Sequence, residues 1–306
     1  MSASDHFIGI DWGSTNARAL LFTADGTVLE ERDEPLGIKH VPVGGHRAAF
    51  DRLTQHWRER HGALPAFLSG MIGSRHGWRE APYLPCPASL AELHCALVPA
   101  PDVENTRIVP GLSLNGPHCD VMRGEELQVL GLGAAATKFD CICIPGTHAK
   151  WIRAEWPVVR EFRTAMTGEL FAAIAEHTLL ASLIPATPAG SPPSPAATAG
   201  AFEAGIERSA APHGLLAALF EIRAEVLLGK TAAGEIAELI SGLLIGTEIR
   251  GMLAHFGAHS RVALLAAPSL ELRYLRALRH LGLDAVAFDV KRTTAQGFVA
   301  LRNQIL

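Results

Sequence analysis

The sequence predicts an α/β protein of two domains. Its 306 residues exceed the roughly 250 to 300 residues at which a single hydrophobic core stops growing. A meander of short strand patterns opens the chain, and a second run of strand patterns in the same order begins at Phe139, without sequence identity to the first. Segments with helical spacing of apolar residues follow each run. Two sheets, each with its own helices, account for this order.

The first half begins with strands at residues 6–11, 18–23 and 28–33, and Asp25-Gly26 marks a hairpin turn between the last two. Residues 48–60 have the apolar spacing of an amphipathic helix. The remaining elements predicted here are a strand at 64–70, a helix at 89–98, a strand at 106–112 and a helix at 124–136.

The second half repeats this start with three strands and a long helix. A Pro- and Ser-rich stretch at 185–202 predicts an exposed loop. The elements predicted are strands at 139–146, 148–155 and 157–166, a helix at 168–184, helices at 213–228 and 232–256, a strand at 261–267, a helix at 270–281, a strand at 284–290 and a terminal helix. We therefore predict an N-terminal domain over residues 1–136, to which a helix at 291–306 returns, and a C-terminal domain over 137–290.

Composition narrows the class of protein. The net charge is −4, and no cluster of Lys and Arg follows the pattern of a nucleic-acid site, which argues against a nucleic-acid partner. Polar residues interrupt every apolar run, so no membrane span is predicted. The chain starts with a polar segment rather than a signal core, and we expect a cytoplasmic protein. Cys141 and Cys143 read as reduced strand residues rather than as a metal pair.

The turn after the first strand carries the clearest chemical signal. Asp11 ends an apolar strand, and Gly13, Ser14, Thr15 and Asn16 follow as a turn of small polar residues. Consecutive backbone N–H groups in such a turn bind phosphate, and the carboxylate can hold a hydrated Mg²⁺. The alternative is a tight hairpin capped by aspartate.

Two better-known phosphate loops are excluded. The chain contains no G-x-x-x-x-G-K-[ST] sequence. Its G-x-G-x-x-A sequence, at residues 131–136, falls within a helical pattern instead of after a strand. We interpret these glycines as helix-packing residues.

Several motifs together resemble one known family. "IGIDWGSTNARALLFTADGTVL" resembles the first phosphate motif of the actin, hexokinase and heat-shock chaperone superfamily. "GMIGSRHGW", "VMRGEELQVLGL", "IPGTHAKW" and "FRTAMTGELF" resemble motifs of the 2-dehydro-3-deoxygalactonokinases. The resemblance runs from about Phe7 to the C-terminus and is densest before Phe171.

This resemblance implies a fold and a reaction. The fold would be the two-domain actin/hexokinase-like (ribonuclease H-like) α/β fold, in which each domain is a mixed β-sheet with flanking helices and ATP binds in a central cleft. The reaction would transfer the γ-phosphoryl group of ATP to the 6-hydroxyl of 2-dehydro-3-deoxy-D-galactonate, with Mg²⁺. The product, 2-dehydro-3-deoxy-6-phosphogalactonate, would feed an aldolase in galactonate breakdown.

Phosphoryl transfer needs phosphate-binding turns, a metal-holding carboxylate and a base. Asp11 is the metal candidate. Glu125 and Glu126, at a predicted helix N-terminus that favours an ionised carboxylate, are the base candidates. We favour Glu125 because Glu126 shares a helix face with apolar residues, and dipole pairing is the alternative for both. The nucleotide- and phosphate-binding candidates are Gly13, Ser14, Thr15, Asn16 and Arg18 in the first motif, Gly146, Thr147, His148 and Lys150 in "PGTHAK", and Ala266, Ala267 and Ser269 after the late strand.

The substrate is a keto acid, and a carboxylate favours a planar bidentate donor. Arg75, Arg123 and Arg163 are the candidates, in that order. Trp12 and Trp78 would either flank the sugar chain or lie in the core. The late loop, at 264–275, has alanines where the superfamily has glycines, so the nucleotide donor stays open between ATP and another triphosphate.

Two other functions stay open. One is a kinase for a related keto-deoxy or aldonic acid, because one stereocentre changes only one or two hydrogen bonds. The other is a non-catalytic nucleotide-binding regulator on the same fold. The sequence leaves the oligomeric state undecided, and a homo-oligomer is compatible with it.

Overall fold

The computed structural model describes residues 6–185, 200–257 and 261–305. These residues form two compact units. Unit 1 comprises the chain up to Lys138, Ile152–Phe162 and the chain from Asp289 onward. Unit 2 comprises Phe139–Trp151 and Arg163–Phe288.

The regular elements are as follows. The strands are β1 (His6–Trp12), β2 (Ala17–Thr23), β3 (Val28–Glu34), β4 (Ala66–Gly70), β5 (Tyr83–Pro85), β6 (Ala88–Ser89), β7 (Val98–Pro99), β8 (Thr106–Ile108), β9 (Gly111–Asn115), β10 (Cys119–Met122), β11 (Cys141–Ile144), β12 (Ala149–Glu155), β13 (Val158–Ala165), β14 (Arg261–Ala266) and β15 (Asp284–Asp289). The α-helices are α1 (His46–His61), α2 (Glu125–Leu132), α3 (Thr167–His177), α4 (Ala201–Arg208), α5 (Gly214–Leu227), α6 (Ile236–Phe256), α7 (Pro268–His280) and α8 (Val290–Asn303).

The main sheet of unit 1 has the strand order β3-β2-β1-β4-β8-β7. Strand β1 pairs antiparallel with β2 and parallel with β4, so it lies inside the sheet. Its alternate residues Ile8, Ile10 and Trp12 are fully buried in one core with residues of α1. On β1, Gly9 leaves room for the ring of Phe298 from α8, because a Cβ there would lie 2.6 Å from that ring.

Helices α2 and α8 pack at very close range. A Cβ at Gly131 would lie 1.9 Å from the carbonyl oxygen of Thr293, and one at Gly297 would lie 2.2 Å from that of Leu127. Only glycine permits such an approach of two backbones. The interpretation of the glycines at 131–136 as helix-packing residues is confirmed for Gly131, whereas Gly133 instead ends α2 and has open space at its Cβ position.

Three predicted elements of unit 1 differ from the structure. The strand at 106–112 is interrupted at Val109-Pro110, and its second part forms a small sheet, β10-β9-β5, that the sequence pattern missed. Residues Leu90–Ala96 form a 3-10 helix in place of the predicted α-helix. Helix α2 ends at Leu132 because Gly133 adopts a positive φ of 57°, and a 3-10 segment follows.

The third sheet has the order β15-β14-β11-β12-β13-β6, with β11 and β14 parallel. Cys141 and Cys143 lie in strand β11, as predicted, and both are buried. In unit 2, α4 and α6 approach closely, since a Cβ at Gly242 would lie 2.0 Å from the carbonyl oxygen of Phe202. Helix α3 is shorter than predicted, and most of the predicted loop, 186–199, lies outside the described residues. None of the helices in the described ranges has the length and apolar character of a membrane span.

Candidate phosphate and nucleotide sites

The turn between β1 and β2, residues 13–16, is called the first tip. Its carbonyl groups face the segment that follows β3: those of Gly13, Ser14 and Thr15 accept hydrogen bonds from backbone N–H groups of residues 37–39, at 2.8 to 3.1 Å. The N–H groups of Ser14, Thr15 and Asn16 donate to no acceptor within the described ranges. With its carbonyls held on one side, the first tip presents a set of N–H groups of the kind that binds phosphate.

Gly37 makes this arrangement possible. A Cβ on Gly37 would lie 2.2 Å from the carbonyl carbon of Thr15, so only glycine fits beneath the first tip. Sequence reasoning missed Gly37, because nothing in the pattern of residues 35–40 shows that this segment contacts the tip.

Asp11 lies next to the last residue of β1, between Arg18 on β2 and Ser69 on β4. Burial raises the pKa of Asp11, the Arg18 guanidinium lowers it, and the Asp33 carboxylate raises it. Arg18 itself forms ion pairs with Glu31 and Asp33, each at 3.3 Å. A nearby cation favours the ionised form of a carboxyl group whose pKa is raised by desolvation.

The surroundings of Asp11 fit the way in which proteins usually bind magnesium. In the described part of the chain, no group of three or more His, Cys, Asp or Glu residues could hold a metal ion. Mg²⁺ is usually bound through one or two carboxylates, waters and substrate phosphates. One carboxylate beside a phosphate-binding turn matches that pattern.

Gly70, at the end of β4, connects Asp11 to the start of α2. A Cβ on Gly70 would lie 3.5 Å from Asp11 Oδ1, and a Cβ on Gly124 would lie 3.4 Å from the Cα of Gly70. Both glycines have positive φ angles, 88° and 110°, so each turn requires this residue type. The structure therefore brings the metal candidate and the helix with the base candidates into one neighbourhood.

The two base candidates differ in access. Glu125 is half-buried, and its Oε2 accepts a hydrogen bond from the backbone N–H of Arg123 at 3.0 Å. Glu126 is fully buried, and both its oxygens contact the N–H of Gly124, at 2.9 and 2.8 Å. Burial, followed by the neighbouring Glu125, raises the pKa of Glu126 to about 8. Glu126 therefore cannot contact a substrate in this structure, which corrects its place among the base candidates.

The tryptophan candidates lie in or against the core. Trp12 is fully buried, and its Nε1 donates a hydrogen bond to the Leu36 carbonyl at 2.6 Å. It is a core residue and cannot flank a sugar chain, so this candidate is also corrected. Trp78 is half-buried and packs against Phe50 at 5.7 Å between ring centroids.

The three arginine candidates occupy different environments. Arg75 is exposed in the loop after β4. Arg123 is buried: its Nη2 donates to the Ala81 carbonyl at 2.8 Å, and its guanidinium lies 4.2 Å from the centre of the Tyr83 ring. It thus supports the loop that carries Arg75. Arg163, in unit 2, is half-buried with its Nε 3.1 Å from His255 Nε2.

The turn between β11 and β12, residues 146–148, is called the second tip. It rests on the start of α3: a Cβ on Gly168 would lie 2.4 Å from the Gly146 carbonyl oxygen, and Glu169 N donates to the Thr147 carbonyl at 3.0 Å. His148 Nε2 lies 2.6 Å from Glu169 Oε2. Thr147 and His148 are exposed at the tip, whereas Lys150 is buried in β12.

Beside the second tip, unit 2 contains a cavity of about 280 Å³. Its walls come from the second tip and from α3, α6 and α7, and they combine apolar side chains with a few polar groups. The lining residues are Gly146, Thr167, Gly168, Phe171, Ser241, Leu244, Ile245, Ser269, Leu270, Arg273 and Tyr274. Such a lining suits a flat heterocyclic base that needs few directed contacts.

Two sequence predictions meet at this cavity. Gly146 from the second tip and Ser269 from the late loop both line it. Ala266 is buried at the end of β14, and Ala267 is the N-cap of α7. Arg273, missed from the sequence, is held by Ser241 Oγ at 2.8 Å and by Glu238. Helical spacing alone could not reveal that Ser241 and Arg273, from different helices, meet.

Comparisons with known proteins agree with this geometry. A family model described as 2-keto-3-deoxy-galactonokinase matches residues 11–301. The chain is 38% identical over 282 residues to the 2-dehydro-3-deoxygalactonokinase of Escherichia coli (strain K12), with 92% of each chain covered. A crystal structure from Sinorhizobium meliloti, of a protein provisionally named for the same activity, is 36% identical with a TM-score of 0.87, over 98% of this chain and 99% of that one.

A more distant likeness concerns the fold alone. The structure of a xylulose kinase from Lactobacillus acidophilus has a TM-score of 0.52 at 9% identity, over 98% of this chain and 89% of that one. The predicted actin/hexokinase-like α/β fold is confirmed.

Proposed function

Because the chain belongs to the 2-keto-3-deoxy-galactonokinase family, we propose that it transfers the γ-phosphoryl group of ATP to the 6-hydroxyl of 2-dehydro-3-deoxy-D-galactonate. Membership of this family indicates that the protein is an ATP-dependent sugar-acid kinase. The observation that supports the mechanism is that Asp11, which precedes the first tip by two residues, and Gly124, which precedes Glu125, both lie beside Gly70. We further propose that the enzyme acts in the cytoplasm, in galactonate breakdown.

The first tip and Asp11 bind the reacting phosphates in this proposal. The N–H groups of residues 14–16 donate to phosphate oxygens, and the Asp11 carboxylate holds the ion. When bound, Mg²⁺ neutralises charge that develops on the phosphate oxygens. Arg18, already paired with Glu31 and Asp33, opposes the burial-driven rise in the pKa of Asp11 and so favours its ionised form.

Glu125 is the proposed base. The 6-hydroxyl oxygen forms a bond to the γ-phosphorus, the bond from that phosphorus to the bridging oxygen of ADP breaks, and the hydroxyl proton passes to the Glu125 carboxylate. Its half-buried side chain at the start of α2 supports this role, because a base must reach the substrate. Atoms and charges balance with ADP, the phosphorylated acid and one proton as products.

The cavity of unit 2 is the proposed site for the nucleotide base. Phe171, Leu244, Ile245 and Leu270 supply apolar contact area. The second tip, which shares Gly146 with the cavity wall, supplies phosphate contacts through Thr147 and His148. ATP is the proposed donor, and the alanines at 266 and 267 leave the preference over GTP to experiment.

Arg75 is the proposed contact for the substrate carboxylate. It is the exposed arginine of the loop that follows β4, close in sequence to Gly70, whereas Arg123 is buried beneath that loop. Arg163, the alternative, belongs to unit 2.

An assay of ADP release with a panel of acids tests the proposal. The panel contains 2-dehydro-3-deoxy-D-galactonate, its gluconate epimer, D-galactonate and D-gluconate, each with ATP or GTP and with Mg²⁺ or EDTA. We expect the highest kcat/KM with the first acid, ATP and Mg²⁺, and loss of turnover in EDTA. Faster turnover of another acid would indicate a related sugar-acid kinase. ATP binding without turnover of any acid would indicate a regulator.

A further inference from the structure

A buried carboxylate lies behind the wall of the unit 2 cavity, hydrogen-bonded to two residues that line it, and belongs to none of the roles assigned above. Glu248, on α6, is 6% exposed. Its Oε1 accepts a hydrogen bond from Trp151 Nε1 at 2.7 Å, and its Oε2 accepts from the Tyr274 hydroxyl at 2.8 Å and from the Thr167 hydroxyl. Three neutral donors satisfy one carboxylate.

The three donors come from three elements that build the nucleotide site. Thr167 is the first residue of α3 and precedes Gly168, which packs beneath the second tip. Tyr274 lies on α7, one turn after Ser269 and Leu270 of the cavity wall. Trp151 lies on β12, three residues after the second tip ends at His148. One carboxylate therefore joins the second tip's strand, its supporting helix and the helix of the late loop.

The position of Glu248 on α6 fits this role. Ser241, Leu244 and Ile245 of the same helix line the cavity. Glu248 follows them at spacings of seven, four and three residues, which places all four on one helix face. Thr167 and Tyr274 line the cavity too, so the hydrogen bonds of Glu248 lie directly behind its wall.

Burying the Glu248 carboxylate costs more free energy than burying an apolar side chain at the same position. Burial raises the pKa of Glu248, and the hydrogen bonds from Thr167, Trp151 and Tyr274 oppose that shift. A leucine of similar size would avoid the cost of removing a carboxylate from water. What the carboxylate provides, and a leucine would not, is a common acceptor that fixes the positions of Thr167, Trp151 and Tyr274 relative to one another.

From these contacts we infer that Glu248 is a positioning residue for the nucleotide. It holds α3, α7 and β12 in the mutual arrangement that the nucleotide binds, and it does not contact the nucleotide itself. The inference rests on the proposed function only in assigning the cavity to a nucleotide.

Replacement of Glu248 by Leu and by Gln tests the inference. Leucine removes both acceptor oxygens. Glutamine keeps one carbonyl oxygen that accepts a hydrogen bond from Trp151, and its NH2 group can donate hydrogen bonds to the hydroxyl oxygens of Thr167 and Tyr274. Calorimetry with ADP measures affinity, and steady-state kinetics measures KM for ATP and for the sugar acid. We expect Glu248→Leu to weaken ADP binding and to raise KM for ATP about tenfold, the size of one lost hydrogen-bond contribution. We expect Glu248→Gln to restore most of the affinity, while KM for the acid stays within about twofold in both.

Glu225→Gln is the matched control. Glu225, in unit 2, accepts hydrogen bonds from Arg208 and Thr231, and neither partner lines the cavity. Its loss should lower the free energy of unfolding and leave ADP affinity unchanged.

The outcomes separate the inference from the proposed function. Wild-type protein that binds neither ADP nor ATP would contradict the proposed function. Wild-type protein that binds ADP, with a folded Glu248→Leu variant of equal affinity, would overturn the inference alone. If Glu248→Leu does not fold, Tyr274→Phe removes a single donor, and unchanged ADP affinity in that variant would overturn the inference as well.

Discussion

The first and second tips use the same structural device for different chemistry. Each is a hairpin turn that rests on a glycine from another segment: Gly37 lies against Thr15, and Gly168 lies against Gly146. Beneath the first tip lies a loop that binds its carbonyls. Beneath the second lies a helix N-terminus, which adds the Glu169 carboxylate next to His148.

What surrounds the tips differs more than the tips themselves. A carboxylate at the strand end and a helix that begins with Glu125 accompany the first tip, whereas an apolar cavity accompanies the second. Ion binding and proton removal are thus expected of unit 1, and binding of the nucleotide base is expected of unit 2. Substitutions at matching positions can separate these two contributions.

Glu125→Gln and Glu169→Gln form the first matched pair. A general base contributes roughly 10²- to 10⁴-fold to a rate, so we expect Glu125→Gln to lower kcat by about that factor, with ADP affinity unchanged. Glu169→Gln removes only an exposed partner of His148 and should change KM for ATP by about threefold or less. Coupled assays of ADP release measure both. Equal losses of kcat in the two variants would contradict the division between the units.

Gly37→Ala and Gly168→Ala break one tip at a time. The new Cβ would lie 2.2 Å from Thr15 C in the first variant and 2.4 Å from Gly146 O in the second. Overpacking of this kind costs about 1 to 3 kcal/mol, and the tip must shift. We expect Gly37→Ala to lower kcat and Gly168→Ala to weaken ADP binding, each about tenfold or more.

Gly251→Ala is the control for this pair. A Cβ at Gly251, an exposed position within α6, would have open space around it. Alanine there should raise the free energy of unfolding by about 0.5 to 1 kcal/mol and leave kinetics unchanged. Loss of ADP affinity in Gly37→Ala as large as in Gly168→Ala would show that the tips are not specialised.

Local residue patterns revealed the tips but not what lies beneath them. The Asp-ended strand and its small polar turn are contiguous, so Asp11 and residues 13–16 were recognisable from the sequence. Gly37 and Gly168 act through contacts with distant segments, and no periodicity reports such contacts. The same limit applies to Glu248, whose three donors are 26 to 97 residues away.

For two candidate site residues, Trp12 and Glu126, residue type alone left the role open, and the burial of the side chain decided it. Trp12 and Glu126 carry suitable chemistry at suitable positions, but both side chains are fully buried. Alternation within β1 places Trp12 on the same face as Ile8 and Ile10, and this could be read from the sequence. The burial of Glu126 instead depends on how α2 packs in the folded chain, which the sequence pattern does not contain.

Arg75 offers a smaller test of the assignment of the acid to unit 1. A hydrogen bond to a charged group contributes about 1.5 to 3 kcal/mol, so Arg75→Ala should raise KM for the sugar acid at least tenfold, with KM for ATP unchanged. Arg75→Lys keeps the charge but not the bidentate geometry and should recover only part of the affinity. Arg79→Ala, an exposed change four residues on, is the control. An effect on KM for ATP alone would remove Arg75 from the acid site.

Finally, each unit buries a carboxylate, Glu126 in unit 1 and Glu248 in unit 2. We expect the two to differ in how strongly they make the free energy of unfolding depend on pH. The pKa of Glu126 is raised from 4.5 to about 8, so below pH 4.5 both folded and unfolded chains hold this proton. Between pH 4.5 and 8 only the folded chain keeps it, and the group's stabilising contribution declines as pH rises through this window. The glutamine of Glu126→Gln does not titrate, so this variant escapes the decline. It should therefore gain stability relative to wild type between pH 5 and 8, by about 1 to 3 kcal/mol.

Urea unfolding at pH 5, 6, 7 and 8 measures this difference, with activity at pH 7 expected to change little. Glu126 accepts from one backbone N–H beside another carboxylate, whereas Glu248 accepts from three side chains that oppose the rise in its pKa. Because those donors favour the ionised form, the corresponding gain for Glu248→Gln should be smaller than for Glu126→Gln. Wild-type and Glu126→Gln curves that stay parallel across this range would mean that Glu126 ionises as freely in the folded chain as in the unfolded one. The buried carboxylate of unit 1 would then be no more sensitive to pH than that of unit 2.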